Sequence, residues 1–228
     1  MKFTLLIPTL NEIDGMKAVM PRIKKEWVDE ILVIDAKSND GTFEYAKSLG
    51  CKVLTQESKG LTNAYRDAIP HAIGDVIITF SPDGNSIPEL IPKLVAKMKE
   101  GYDMVIASRY YEGAKSEDDD PITAFGNWLF TTMINVCFGS HLTDSLVIYR
   151  AWKKELFKMC EIDPGDGGPD VHMSIIASKY NLKVAQISGD EPKRIGGVRK
   201  MSPLKNGFGV LMLIIKEFIR PKKPLPIS

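Results

Sequence analysis

Cysteine is scarce in this sequence, and no export signal is evident. The three cysteines, Cys51, Cys137 and Cys160, are odd in number and show no paired metal-ligand spacing. This argues against a disulfide scaffold or a zinc site and fits a reducing compartment. The apolar stretch at residues 3–8 is too short for the core of a signal peptide. We therefore expect a protein that is not exported and works in the cytoplasm.

Long apolar runs are also missing. The apolar residues 208–215 are too few to cross a bilayer, which takes about 20 residues in a helix. Residues 121–143 are uncharged but are interrupted by Gly, Asn and Thr, which are costly against lipid. We therefore expect a soluble protein, or one that binds to a membrane surface.

No charge of one sign dominates the chain as a whole. Its 228 residues include 30 Lys and Arg and 29 Asp and Glu, so bulk electrostatics gives no indication of a nucleic-acid partner. Basic residues nevertheless concentrate at the end, because residues 193–228 contain nine Lys and Arg against Glu217 alone. This segment carries a net charge of +8 and is expected to have a partner of its own.

Short apolar runs alternate with helical periodicity in the first half of the chain, which predicts an α/β fold with a parallel sheet covered by helices. Strands are predicted at residues 3–8, 30–35, 52–55, 76–80 and 104–107, and helices at 41–49, 61–72 and 87–99. No Gly-x-x-x-x-Gly-Lys-Ser/Thr or Gly-x-Gly-x-x-Gly loop follows the first strand. The common nucleotide-hydrolase and dinucleotide-binding classes therefore lack their phosphate-binding loop.

Polar loops follow three of the predicted strands. They are Pro-Thr-Leu-Asn-Glu at residues 8–12, Asp-Ala-Lys-Ser-Asn-Asp-Gly-Thr at 35–42 and Ser-Pro-Asp-Gly-Asn at 81–85. In open α/β sheets, ligands bind at the carboxyl ends of the strands. In this order the loops resemble those of the family 2 glycosyltransferases of the GT-A fold, in which they hold a nucleotide and a metal ion.

Further segments extend the resemblance over residues 2–205. Residues 60–66 and 72–75 look like the family's Gly-x-x-x-Ala-x-Arg helix and its approach to the metal strand, and residues 101–110 are similar to its Gly-x-Asp-Val-Val-x-Gly-Ser-Arg segment. Residues 142–144, 149–151 and 194–200 resemble the branch that makes polyprenyl-phosphate hexoses, such as dolichyl-phosphate mannose synthases. The resemblance implies a single GT-A-type nucleotide-binding domain at residues 1–201, with a mostly parallel central sheet flanked by helices.

The resemblance and the loop chemistry together assign roles to individual residues. The nucleotide site is expected to contain Pro8, Thr9, Asn11, Glu12, Asp35, Arg66 and Asp83, and the acceptor or phosphate site Ser108, Arg109, Arg150, Arg194 and Lys200. The candidate catalytic residues are Asp83, Asp144, Asp170 and Arg194, and the candidate metal ligands are Asp83 and Asn85. Carboxylate and amide oxygens are ligands that Mg²⁺ and Mn²⁺ accept.

Two positions depart from the family pattern. Ser81 stands where the metal motif has its first Asp, and Ala36 stands where many relatives have a second Asp that contacts the base. We therefore expect weaker metal binding, and the identity of the base stays open.

The expected reaction is an inverting, metal-dependent transfer of a hexose from a UDP or GDP sugar to a polyprenyl or dolichyl phosphate. Such an acceptor oxygen is already anionic and needs no strong base, whereas an alcohol would require Asp144 or Asp170 as the base. Residues 202–228 are predicted to form a basic amphipathic helix and tail on an anionic membrane surface, which makes the protein peripheral on the cytoplasmic face.

Several alternatives stay open. The acceptor can be soluble or lack a phosphate, and the C-terminal helix can pack on the domain core. The substitutions at Ser81 and Ala36 would also suit a non-catalytic sugar-nucleotide-binding protein. A sugar-1-phosphate nucleotidyltransferase is disfavoured, since residues 8–12 replace its Gly-rich basic loop. The acidic residues 117–120 are expected to form a mobile solvated loop over the site. The oligomeric state is open.

Overall fold

The computed structural model describes residues 1–161, 167–196 and 203–222, with side chains from residue 206 onward in the last range. Its strands are β1 (Phe3–Thr9), β2 (Glu30–Asp35), β3 (Lys52–Thr55), β4 (Val76–Thr79), β5 (Met104–Ser108), β6 (Arg150–Lys153) and β7 (Val184–Ser188). Its helices are α1 (Ile13–Val19), α2 (Thr42–Ser48), α3 (Leu61–Ala68), α4 (Ile91–Lys99), α5 (Pro121–Phe138), α6 (Lys154–Met159), α7 (Pro169–Lys179) and α8 (Pro203–Ile219). The boundary predicted at residues 201 and 202 lies outside the described residues.

The seven strands form one sheet in the order β3-β2-β1-β4-β6-β5-β7. Every pair is parallel except those of β6, which runs antiparallel to β4 and β5. The central strands are buried on both sides because helices cover both faces of such a sheet. The prediction of a mostly parallel α/β sheet flanked by helices is confirmed.

Prolines shorten two of the predicted helices. The helix predicted at residues 61–72 ends at Ala68 and continues as a 3₁₀ turn over Ile69–His71, which contains Pro70. The helix predicted at residues 87–99 becomes regular only at Ile91, after a 3₁₀ turn that starts with Pro88. Proline has no N–H to donate and restricts the residue before it, so the helical hydrogen-bond pattern changes at both positions.

The sheet opens between β1 and β4 at their carboxyl ends. β1 is paired with β4 only as far as Leu6, whereas its pairing with β2 continues to Thr9. Pro8 lies in this last part of β1, where it cannot donate a ladder hydrogen bond. Strand order also reverses on the two sides of β1, and such a crevice is where ligands bind in open α/β sheets.

Helix α8 packs on the domain through its inner face, as one of the two sequence interpretations expected. Val210, Leu213 and Ile214 are buried in the common core. Beside them Glu217, 1% exposed, accepts a hydrogen bond from Lys179 Nζ at 2.9 Å and lies 3.4 Å from His172 Nε2. Burial alone would raise the pKa of Glu217, but the neighbouring His172 and the hydrogen bond from Lys179 lower it to about 2.

Replacing Glu217 is therefore expected to loosen α8. Because its pKa lies below the ordinary value of 4.5, Glu217 stabilises the fold above about pH 4.5, and this contribution is lost as the pH falls toward 2. Glu217→Gln should lower the free energy of unfolding at pH 7 by about 3 kcal/mol. Urea titrations at pH 7 and pH 3 measure this, with the exposed Glu155→Gln as the control. An equal loss at both pH values would contradict the assignment.

Candidate active site

A cavity of about 330 Å³ opens at the carboxyl ends of β4 and β5. Polar side chains from four segments line one part of it, and apolar residues 146–149 line another. The lining residues are Leu61, Ser81, Asp83, Asn85, Ser86, Ala107, Arg109, Asp118, Leu146, Val147, Ile148, Tyr149, Gly189, Asp190, Glu191 and Arg194. The cavity thus contains four of the predicted site residues, Asp83, Asn85, Arg109 and Arg194.

In the turn after β4, some side-chain atoms of Asp83 and Asn85 are already hydrogen-bonded within the described part of the protein and others are not. Asp83 Oδ1 accepts the backbone N–H of Asn85 at 3.1 Å, and Asn85 Nδ2 donates to Asp118 at 3.0 Å. Asp83 Oδ2 is 3.0 Å from the guanidinium of Arg194. Asn85 Oδ1 is buried and has no hydrogen-bond partner among the described residues. Two oxygens therefore remain for a cation. They are Asp83 Oδ2, which already pairs with a cationic group, and Asn85 Oδ1, which has no hydrogen bond within the described structure.

This pair of oxygens fits a hard divalent cation. Mg²⁺ and Mn²⁺ take carboxylate and amide oxygens and retain waters or substrate phosphates in their remaining positions. Within the described part of the chain, no three His, Cys, Asp or Glu side chains form a ready metal cluster. Asp83 and Asn85 would hence hold a cation here, and waters or a ligand such as a diphosphate would fill its remaining positions.

The segment around Arg194 lies directly against the turn after β4. Ile195 N donates to Asp83 O at 2.8 Å, and a Cβ on Gly84 would come within 2.6 Å of the Ile195 side chain. Gly84 also has a φ of +97°, so a larger residue is excluded there on two grounds. Lys200, the other predicted phosphate ligand from this segment, lies outside the described residues.

The loops after β1 and β2 are bound to each other. Asp35 accepts hydrogen bonds from Thr9 Oγ1 at 3.0 Å and from the backbone and hydroxyl of Ser38 at 2.8 and 2.6 Å. Asn11, in the left-handed region with φ +55°, accepts from Asn39 N and donates its own N–H to Ser38. The structure thus brings Thr9, Asn11 and Asp35 together, with Asp35 only 1% exposed.

The remaining predicted nucleotide residues border these loops. Pro8 lies in the last part of β1, and Glu12 is buried with its backbone N–H donated to Thr42. Arg66 is exposed on α3 and is not part of the cavity wall.

Arg109 is buried among three carboxylates. Its Nε and Nη2 donate to Asp144 at 2.7 and 3.1 Å, and Nη1 lies 3.2 Å from Asp119 and 3.3 Å from Glu191. Burial alone would lower the pKa of this guanidinium, but Asp144 in the first place raises it, so the side chain stays charged. Asp144 is completely buried. Arg109 and Asp144 therefore fix each other's position and neutralise each other's buried charge.

Two neighbouring residues extend these contacts. Ser108 is buried and exchanges a 2.6 Å hydrogen bond with Thr143. Burial also raises the pKa of the Glu191 carboxyl, although Arg109 and Ser116 oppose the shift.

Arg150 and Asp170 form a second buried group, apart from the cavity wall. Arg150 Nε lies 3.8 Å from Asp170 Oδ1, and the guanidinium also donates to Ser174 and to backbone carbonyls. The Tyr65 hydroxyl donates to Asp170 at 3.2 Å. Burial raises the pKa of Asp170 to about 6, against the opposing effects of Arg150 and Tyr65. A raised carboxyl pKa is common at functional sites and also in structural ion pairs.

Residues 4–159 match the sequence profile described as glycosyl transferase family 2. The chain belongs to this family. It is 36% identical over 126 residues to the dolichol-phosphate mannosyltransferase of Pyrococcus furiosus, covering 52% of this chain and 36% of the relative. It is 26% identical over 215 residues to the undecaprenyl-phosphate mannosyltransferase of Micrococcus luteus, covering 89% and 88%.

Solved structures match the fold of this family 2 glycosyltransferase. Glucosyl-3-phosphoglycerate synthase of Mycobacterium tuberculosis, crystallised with Mn²⁺, UDP-glucose and glycerol 3-phosphate, superposes with a TM-score of 0.74 at 21% identity. The match covers 97% of this chain and 81% of that one. The expectation of a GT-A fold is confirmed.

Three of the acidic residues 117–120 of this glycosyltransferase have side-chain partners, whereas Glu117 is exposed. Asp118 bonds to Asn85, Asp119 pairs with Arg109, and Asp120 caps α5 by accepting the N–H groups of residues 122 and 123. Ser116 forms a bridge with Glu191 that ties the loop to the segment after β7. The loop lies at the site as expected, with Asp118 in the cavity wall, but Asp118 and Asp119 are bound to Asn85 and Arg109 rather than solvated.

Sequence reasoning missed Asp118 and Glu191 as members of the site. The acidic run itself was visible, and its position before a helix start was a usable signal, since Asp120-Pro121 is a strong helix beginning. Glu191 follows β7, a strand outside the alternating first half, and carries no motif. Its role depends on the bridge to Ser116 and on Arg109.

Arg194 is expected to compete with a cation for Asp83 in this glycosyltransferase. Arg194→Gln should bind Mn²⁺ about fivefold more tightly without nucleotide, since a partly exposed ion pair contributes ~1 kcal/mol. Calorimetric titration with Mn²⁺ measures this, and Arg22→Gln, which removes a surface pair with Glu89, is the control. Unchanged or weaker Mn²⁺ binding in Arg194→Gln would exclude competition.

Proposed function

We propose that this enzyme transfers a hexose, with inversion, from a nucleotide diphosphate sugar to a polyprenyl phosphate, and that it depends on Mg²⁺ or Mn²⁺. The family membership supports sugar transfer. Two relatives whose names state dolichol phosphate and undecaprenyl phosphate as acceptors support the acceptor class. The observation that carries the lipid part of the proposal is the outward-facing apolar surface of α5.

The donor would bind in the crevice beside β1 and β4. A cation held by Asp83 Oδ2 and Asn85 Oδ1 would neutralise the diphosphate as negative charge develops on the leaving group. Arg194 lines the same cavity and pairs with Asp83, and its guanidinium would exchange that carboxylate for a phosphate oxygen of the donor. The bound loops that contain Thr9, Asn11 and Asp35 are the nearest candidates for contacts with the nucleoside.

The state of the carboxylates favours an acceptor that needs no base. Asp144 is buried against Arg109, and Asp170 is buried against Tyr65 and Arg150, with neither in the cavity wall. The carboxylates that do line the cavity also accept protein hydrogen bonds or ion pairs. A phosphate monoester brings an oxygen that is already anionic, whereas an alcohol must lose a proton.

In helix α5, polar residues face the domain and apolar residues face outward, which is the opposite of the usual arrangement in a protein surrounded by water. Its polar residues Asn127 and Thr131 are 2% and 4% exposed and face the domain, where Thr131 bonds to Ser145 at 2.8 Å. Its apolar residues on the other side are exposed. They are Ile122, Phe125, Trp128, Leu129 and Val136, with Phe125 and Trp128 each 60% exposed. An apolar surface of this kind indicates a partner that is itself apolar.

Helix α8 adds a second apolar row next to α5. The rings of Phe138 and Phe218 meet edge to face at 6.3 Å, and Gly207 lies against Phe130. The exposed apolar residues of α8 are Phe208, Met212, Ile215, Phe218 and Ile219. Among the described residues, no helix is both long and apolar enough to cross a membrane. With the +8 charge of residues 193–228, this surface fits the face of an anionic bilayer.

We therefore propose that the enzyme binds the cytoplasmic face of a membrane as a peripheral protein, the leaflet surface to which anionic lipids attract basic segments. A lipid phosphate would then reach the cavity from the membrane surface, and the apolar cavity residues 146–149 would suit its first isoprene units.

A small phosphorylated acceptor is the second candidate. The similar Mycobacterium tuberculosis enzyme was crystallised with glycerol 3-phosphate and with phosphoglyceric acid. Both candidates share an acceptor phosphate, so the apolar surface of α5 is what favours the lipid.

The reaction is tested by incubating the purified protein with labelled UDP or GDP hexoses, Mn²⁺ and either undecaprenyl phosphate or glycerol 3-phosphate. Transfer to the lipid is expected to depend on Mn²⁺ and to fall at least about a hundredfold in Asp83→Ala. Glu26→Ala, at an exposed position, is the control. Efficient transfer to glycerol 3-phosphate without transfer to the lipid would reverse the order of the two candidates.

Membrane attachment is tested by co-sedimentation with anionic liposomes. The double variant Phe125→Asn and Trp128→Asn should bind at least about tenfold more weakly, because two large aromatic side chains no longer insert. Ile73→Asn, at an apolar residue 52% exposed and outside α5 and α8, should bind like the wild type. High salt should weaken wild-type binding by screening the basic residues. Liposome-independent dimers that dissociate in the double variant would assign the surface to a second copy.

A further inference from the structure

Asp118 determines which way the side-chain amide of Asn85 points. Asn85 Nδ2 donates to Asp118 Oδ2 at 3.0 Å. A carboxylate has only acceptors, so turning the amide over would place two oxygens against each other. The other end of the amide, Oδ1, consequently points away from Asp118 and stays buried without a hydrogen-bond partner in the described structure.

We propose that Asp118 is a positioning residue for the cation site: it holds Asn85 so that Oδ1 and Asp83 Oδ2 are presented to one metal ion. The proposal rests on the metal dependence in the proposed function and adds to it a residue that lies 33 positions away in the sequence. Both carboxylate oxygens of Asp118 accept hydrogen bonds in this structure, Oδ2 from Asn85 and Oδ1 from Arg194 N at 3.5 Å, so we assign Asp118 to positioning rather than to direct ligation.

The loop holds Asp118 in place through its neighbours. Asp119 N donates to Ser116 Oγ at 3.0 Å, and the Asp119 carboxylate pairs with Arg109. Glu117 N donates to Glu191 O at 2.8 Å. Asp118 thus lies between two anchored residues, Glu117 and Asp119. Because the loop is already ordered, holding the Asn85 amide for a metal ion costs little further conformational entropy.

Asp118 also supplies charge that the turn after β4 lacks. Residues 81–85, the turn after β4, contain Asp83 as their one carboxylate, and Ser81 lines the cavity beside it. The Asp118 carboxylate returns a negative charge to the same wall of the cavity from another segment. Partners that bind to metal ligands in this way commonly change metal affinity 10- to 100-fold.

The experiment measures Mn²⁺ affinity by the electron paramagnetic resonance signal of free Mn²⁺, with no sugar nucleotide and no acceptor. Asp118→Ala is expected to weaken Mn²⁺ binding about tenfold or more. Asp118→Asn should restore part of the affinity, because an amide oxygen can still accept from Asn85 Nδ2. Glu117→Gln removes an adjacent exposed charge and should stay within about twofold of the wild type. Thermal unfolding of each variant checks that the fold is retained.

A double-mutant cycle separates positioning from direct ligation. If Asp118 acts through Asn85, Asp118→Ala has no further effect in the Asn85→Ala background. Additive losses would show that Asp118 binds the metal ion by itself and would overturn the proposal, as would a loss in Asp118→Ala no larger than that in Glu117→Gln. A wild type that binds Mn²⁺ but fails to glycosylate a lipid would contradict only the proposed acceptor. A wild type that binds no Mn²⁺ would overturn both the metal dependence and this inference.

Discussion

The burial of the Arg109 guanidinium is the interaction on which the arrangement of the site depends. It brings together the end of β5, the acidic residues 117–120, the turn at Asp144 and the segment after β7. A buried charge is costly unless it is paired, and removing one partner leaves the others uncompensated. These segments are therefore held in one arrangement, and that arrangement places Asp118 beside Asn85 and the segment around Arg194 over the turn after β4.

The same loop joins the two proposed halves of the function. Its last residue, Asp120, caps α5, the helix whose apolar residues are exposed, while Asp118 contacts the candidate metal ligand. Only a few residues thus separate the surface proposed to lie on a membrane from the cavity proposed to hold the donor. An acceptor phosphate would have a short path between them.

Secondary structure was predicted accurately from the sequence where the local apolar pattern matches the burial of the residues. The strands predicted in the first half begin and end within one residue of those observed, because continuous apolar runs bounded by polar loops suit a covered parallel sheet. The loops after β1, β2 and β4 were found for the same reason. Helix ends beside Pro70 and Pro88 were less accurate, since a proline changes the hydrogen-bond pattern without ending the apolar periodicity.

Charge and polarity were harder to interpret than apolar periodicity. An acidic run has the same composition whether it is solvated or neutralised by a buried arginine, and Arg109 and Asp144 both resemble ligand-binding residues until they are seen to bind each other. Asn127 and Thr131 argued against a membrane-spanning helix, whereas the structure shows that they face the domain and leave the apolar side of α5 outward.

The sequence by itself determined the fold class, the family and the order of the loops that line the site, because short-range periodicity and local motifs encode them. Only the tertiary structure decided which charges are neutralised, which atoms of Asp83 and Asn85 remain for a cation, and which side of α5 is exposed. Several of these depend on distant partners, such as Asp118 for Asn85, 33 positions away, and Glu191 for Arg109, 82 positions away. Pairing at that distance is set by how the elements pack against one another, which no local pattern records.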